Sequence, residues 1–91
     1  MSQALQNGKF DPPGPAYILI TCQADSEVYI IDELQTIPDV KEVEGTIGPY
    51  DIVARIESQS TGSLRDVISR IRKIPEIRAT TTVVCESSSF H

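Results

Sequence analysis

A chain of 91 residues with a net charge of −5 amounts to one domain, able to bury only about 60 to 65% of its unfolded surface. It therefore stands to gain from packing against copies of itself. The acidic balance argues against a direct nucleic-acid surface, which needs a basic footprint to release phosphate counterions. Apolar runs such as Tyr17 to Ile20 are far below the roughly 18 residues that mark a membrane span.

No basic segment followed by an apolar stretch opens the chain, so the expected compartment is the cytoplasm and no membrane partner is expected. Cys22 and Cys85 are too few and too far apart for a disulfide framework or a paired-cysteine zinc site; each reads as a small hydrophobe.

In chain order, residues 1 to 15 form a flexible or Pro-rich tail, because Gly8, Pro12, Pro13, Gly14 and Pro15 prevent both a helix and an interior strand. The stretch AYILITC from Ala16 is short, rich in β-formers and bounded by polar residues, which predicts a central strand. Asp25 or Ser26 then caps a helix running to about Ile37, with Val28, Ile31 and Leu34 as its apolar stripe. Pro38 ends it.

A half-exposed strand comes next, placing Val43, Gly45 and Ile47 on one side. GPYD marks a turn, and Ile52, Ala54 and Ile56 alternate with Val53 and Arg55 in the next strand, so the two make a hairpin. The second helix begins near STGS with Ser63 as its cap. Leu64, Val67, Ile68, Ile71 and Ile74 give it the clearest amphipathic pattern in the chain, and Pro75 stops it. IRATTTVVCE is the last strand, and residues 87 to 91 are a polar tail.

The segments TIPDV and KIPEI, with prolines 37 residues apart, repeat one event: a helix stopped by proline, whose next apolar residue, Val40 or Ile77, plugs the core as a strand begins. Two βαβ halves in series predict an α+β, ferredoxin-like βαββαβ fold, a four-stranded antiparallel sheet with two helices on one face. The first and last strands are then neighbours. With Leu19 and Ile20 near Thr82, Cys22 falls opposite about Thr80 and Cys85 opposite about Tyr17, too far apart for a disulfide. The other face of the sheet is left open and carries apolar residues including Val53, a surface most simply covered by a second copy in a two-fold dimer.

Catalytic motifs are missing from the chain. The one histidine is His91 at its end, and there is no metal-ligand spacing, phosphate loop or Ser-centred motif, so neither enzymatic activity nor a cofactor is expected. What remains suits a small zwitterion: Gly48 permits close backbone approach, Asp51 can accept from an ammonium, and Thr80, Thr81 and Thr82 can donate to a carboxylate. Plainer roles stand beside these, a turn for Gly48 and an exposed strand for the threonines. Residues 65 to 78 carry five cations against two acids, read either as a patch for an acidic partner or, more simply, as the solvated face of a helix.

GPYDIVARIES, a helix, and then IPEIRATTTVV together resemble the effector-binding (RAM) domain of the Lrp/AsnC family. There a glycine, an aromatic and an aspartate open the third strand, and a helix ending in Leu/Ile-Pro-Gly-Val leads to a Thr-x-Thr fourth strand. The resemblance covers Ala16 to about Glu86. It implies a domain at 16 to 86 of the dimeric α/β-barrel type that dimerises through its sheet, assembles dimers into rings, and binds an amino-acid effector between neighbouring dimers.

By matching position the effector-binding residues are Gly48, Tyr50, Asp51, Thr80 and Thr82, with packing the alternative role for Tyr50. Two features depart from the family pattern. Fifteen Pro- and Gly-interrupted residues do not encode the usual helix-turn-helix, so the expectation is a stand-alone domain acting without direct DNA binding, through partners such as full-length relatives by co-assembly. Glu76 stands where the family has glycine, beside the expected pocket. An enzyme of the dimeric α/β-barrel type and a purely structural oligomerisation module are the alternatives.

Overall fold

A computed structural model describes residues 13–85; the two tails lie largely outside the described residues. The elements are β1 (Ala16–Cys22), α1 (Glu27–Gln35), β2 (Val40–Gly45), β3 (Ile52–Ile56), α2 (Thr61–Arg72) and β4 (Ile77–Val84). The strands form one antiparallel sheet in the order β2-β3-β1-β4, the ferredoxin-like arrangement. No helix among the described residues is long and apolar enough to cross a membrane.

The core is built on the parity of the two central strands. Ala16, Ile18, Ile20 and Cys22 of β1 and Ile52, Ala54 and Ile56 of β3 are buried on the helix side, where Ile30, Leu34 and Ile37 and then Leu64, Val67 and Ile71 meet them. The alternate residues Tyr17, Leu19, Val53 and Arg55 are half-buried on the other face. Pairing joins the strands in rows. Val43, Ala54, Ile18 and Thr82 lie side by side, as do Gly45, Ile52, Ile20 and Thr80.

The repeated Ile-Pro segments carry the same hydrogen bonds. Thr36 N–H donates to Glu33 O at 3.2 Å and Lys73 N–H to Arg70 O at 3.2 Å. Ile37 to Leu34 matches Ile74 to Ile71, both 3.1 Å, and Val40 to Ile37 (3.0 Å) matches Ile77 to Ile74 (3.1 Å). Each helix thus unwinds through i→i+3 bonds that run up to and across the proline, and Val40 and Ile77 pack against the core. The helices end at Gln35 and Arg72, a turn before the prolines rather than at them.

Several local expectations are corrected. Val28 is 74% exposed, and the buried stripe of α1 is Ile30 and Leu34, because the sheet accepts an i, i+4 pair and Val28 lies off that line. Ile47 is fully exposed beyond the end of β2. Cys22 lies opposite Ile77, not Thr80, after a bulge at Thr21/Cys22, and Thr82 faces Ile18, not Leu19 or Ile20. Cys85 donates its N–H to Pro15 O at 2.9 Å rather than facing Tyr17. Both thiols are free, at opposite ends of the β1–β4 pair. Burial pushes the Cys22 thiol up, with Ser26 opposing and the Asp51 and Glu27 carboxylates adding to the shift, so the thiolate is disfavoured.

Ser60, not Ser63, caps α2. Its backbone is extended (φ −150, ψ 162) and its hydroxyl accepts the Ser63 N–H at 3.0 Å. Ser26 precedes α1, but its hydroxyl donates to Gln23 O at 2.6 Å, leaving that helix without a side-chain cap. Replacing an N-cap serine by alanine costs about 1 kcal/mol. Ser60→Ala is therefore expected to lower stability in urea melts by about that amount, and Ser63→Ala, which keeps the backbone donor, by clearly less.

Candidate functional site

The turn between β2 and β3 is wired to the end of β1. Thr46 N–H donates to Asp51 O at 2.9 Å, Thr46 Oγ1 to Tyr50 O at 2.6 Å, and Asp51 N–H to Ile20 O at 2.8 Å. The Asp51 carboxylate accepts the Cys22 N–H at 2.9 Å, continuing the β1–β3 side of the sheet beyond the Ile20↔Ile52 pair. Gly48 adopts φ +132, open to glycine and strained for other residues, and an added Cβ would meet nothing within 4 Å. Tyr50 is half-buried.

Thr80 and Thr82 sit elsewhere. Their pairing with Ile20 and Ile18 puts both on the helix side of β4, an edge strand. Thr81 faces the opposite way, in register with Leu19. Asp51 adjoins Ile52, and β1 lies between β3 and β4, so about two strand spacings, on the order of 10 Å, separate the Asp51 backbone from that of Thr80. One chain thus brings Gly48, Tyr50 and Asp51 together, and Thr80 with Thr82, but does not bring the two groups together.

The threonines face a cleft that the sequence alone does not disclose. At the β2 edge, Val40 and Val43 draw α1 down onto the strand; at the β4 edge the residue in the Val43 row is Thr82, and α2 touches that strand only lightly. The space left is a cavity of about 520 Å³ lined by Thr61, Leu64, Arg65, Ile68, Ser69, Arg72, Lys73 and Thr82, within the range of small-molecule sites. Arg72 Nε–H donates to Thr80 Oγ1 at 3.2 Å. Thr82 Oγ1 is buried with no partner, as is Glu76 Oε1 at the turn before β4. The legible signal was the cation excess over residues 65 to 78; its concentration on one side of α2 needed the fold.

The open sheet face forms a second surface. Tyr17, Leu19, Val53 and Val83 share it, and a shallow recess of about 210 Å³ is lined by Tyr17, Glu42, Glu44, Val53 and Arg55. Arg55 is held by ion pairs to Glu42 (3.3 Å) and Glu57. Among the described residues no group of three His, Cys, Asp or Glu side chains is placed to hold a metal.

A sequence model described as the Lrp/AsnC ligand binding domain matches residues 15–89. The chain belongs to this family. FFRP-DM1, a solved structure, is 33% identical, with 78% of this chain and 96% of that one aligned and a TM-score of 0.75. The hypothetical protein PHS023 from Pyrococcus horikoshii is 32% identical over 85% and 94% of the two chains, with a TM-score of 0.77. Escherichia coli AsnC, at 24% identity and a TM-score of 0.75, aligns with 94% of this chain and 58% of its own and attests the shared fold.

Among curated proteins, homocitrate synthase of Sulfurisphaera tokodaii is 34% identical over 74 residues. That alignment takes in 78% of this chain but only 16% of the enzyme. The chain thus spans less than a fifth of the curated relatives it matches, and its membership of a ligand-binding domain family supports a regulatory sensing role.

An orphaned buried hydroxyl costs about 1 to 3 kcal/mol. Thr82→Val, nearly equal in shape, is expected to raise the thermal midpoint of the ligand-free domain; an unchanged or lowered midpoint in calorimetry means that the hydroxyl has a partner.

Proposed function

We propose that this domain is a non-enzymatic sensor that holds a free amino acid between neighbouring copies, assembles through its open sheet face, and acts through partners rather than by contacting DNA. The placement of donors and acceptor supports this reading. The ammonium and carboxylate of an α-amino acid leave the same carbon. Asp51, the acceptor, and the Thr80/Thr82/Arg72 donors are about 10 Å apart in one chain, so one chain does not grip both ends. A second copy that brings its Asp51 turn, with Gly48 and Tyr50, to the threonine edge of the first completes the set.

The remaining features agree. The acidic net charge disfavours direct operator contact, leaving regulation to partners, which include full-length relatives sharing the domain. The occurrence of a similar segment within homocitrate synthases favours a sensing module that serves different outputs. An enzymatic role finds less support, since the helix-facing side of the sheet is filled by Ile18, Ile20, Ile52, Ala54 and Ile56.

The test is calorimetry with the twenty amino acids. Asp51→Asn keeps an oxygen for the Cys22 N–H but loses the charge, so it is expected to weaken the bound amino acid by roughly tenfold to 150-fold. Thr81→Ala, on the opposite face of β4, is expected to leave affinity unchanged. Failure of every amino acid to bind at millimolar concentration rejects the sensor and favours the purely structural module.

Assembly has its own test. Val53→Asp places a charge in the middle of the open face, where a partner sheet would strand it unpaired. The parent is expected to be a dimer or a ring of dimers in light scattering, and the variant a monomer or unfolded. A monodisperse monomer of the parent rejects assembly through the sheet.

A further inference from the structure

The cleft between α2 and β4 has a charge pattern that an amino acid held by one chain alone does not match. Thr61, Arg65, Ile68 and Arg72 succeed one another at steps of four, three and four residues and form one stripe along the helix. Arg65 and Arg72 therefore stand about 10 Å apart along the axis, on either side of Ile68, with Leu64 buried beneath. Lys73 adds a third cation at the end of the helix. No acidic side chain among the described residues lines the cavity. Among the described residues the ion pairs are those of Arg55 alone, so none of the three cations has an ion-pair partner there.

We propose that this cleft binds a small linear dicarboxylate, one carboxylate at Arg65, the other at Arg72 and Lys73, with the apolar middle of the ligand over Ile68 and Leu64. The Arg72 fork is already oriented: its Nε–H is engaged by Thr80, which leaves its terminal nitrogens for a carboxylate in the bidentate manner that guanidinium favours. The buried Thr82 hydroxyl at the cavity wall has no partner among the described residues and supplies a further donor. Within one chain a zwitterion's ammonium meets three cations and, among the described lining residues, no acidic acceptor, and a monocarboxylate leaves one arginine unmatched. The site shares Arg72, Thr80 and Thr82 with the amino-acid reading, but its ligand needs neither an ammonium acceptor nor a second copy, so the two are separated by what binds.

Calorimetry of the full chain at low salt with glutarate and adipate tests it, with hexanoate as the singly charged comparison. Both dicarboxylates are expected to bind, hexanoate at least tenfold more weakly, and affinity to fall as salt rises. Arg65→Gln and Arg72→Gln, both at exposed helix positions, are each expected to lower dicarboxylate affinity by roughly tenfold or more. Arg78→Gln removes the same charge from a β4 residue outside the cavity lining and is expected to leave it unchanged. The proposal is overturned if neither dicarboxylate binds at millimolar concentration, if hexanoate equals them, or if Arg78→Gln weakens binding as much as the two cleft variants. Because glutarate and adipate have no ammonium, absence of amino-acid binding leaves this result untouched, and the converse also holds.

Discussion

The burial of alternate β1 side chains is the constraint on which the rest of the domain depends. β1 lies between β3 and β4, and Ala16, Ile18, Ile20 and Cys22 point into the helices. A slip of one residue would send that set to the open face and bring Tyr17 and Leu19 inside. Because paired residues share a face, this single choice also orients β4. It puts Thr80 and Thr82 on the helix side and Thr81 with Val83 on the open side. The candidate ligand residues and the candidate assembly surface are thus set by the same packing decision.

The domain is a duplicated pattern with unequal edges. Both helices close with the same hydrogen bonds and deliver an apolar plug into the next strand, but those two strands differ. β2 presents Val40 and Val43 to α1, and that seam closes. β4 presents hydroxyls to α2, which gain little from losing water, and a cavity remains. The charges differ in the same sense. α1 carries Glu27, Asp32 and Glu33 without a basic residue, whereas α2 carries Arg65, Arg70 and Arg72 against Asp66. The less tightly packed seam is therefore also the cationic one, and the two buried polar atoms without a partner among the described residues, Thr82 Oγ1 and Glu76 Oε1, belong to the second half.

At the end of β1, Asp51 is a structural residue before it is anything else. Its N–H, C=O and carboxylate are all engaged, with Ile20, Thr46 and Cys22. A carboxylate pinned by backbone contacts is rigid, which suits a site that must present charge without reorganising. The same contacts mean that truncation to alanine would remove a partner of the bulged strand along with any ligand contact, so the charge is better probed by Asp51→Asn.

Element order, the helix-facing set Ile52, Ala54 and Ile56, and the repeated Ile-Pro helix ends were legible in the sequence, because periodicity and proline sterics act within a few residues. The Gly-Tyr-Asp turn and the Thr-x-Thr strand were legible as motifs. Which cap serves α2 was not, since Ser60 and Ser63 differ only in backbone conformation. Nor was the exposure of Val28, which depends on where the sheet lies, or the bulge that moved Cys22 opposite Ile77. The α2–β4 cleft was invisible for a similar reason: its cations are separated along the chain from Thr82, and the void exists only because two surfaces fail to meet. Local sterics and hydrophobic period fixed the elements; register and the fit between layers, which are properties of contacts between distant residues, decided where a ligand has room.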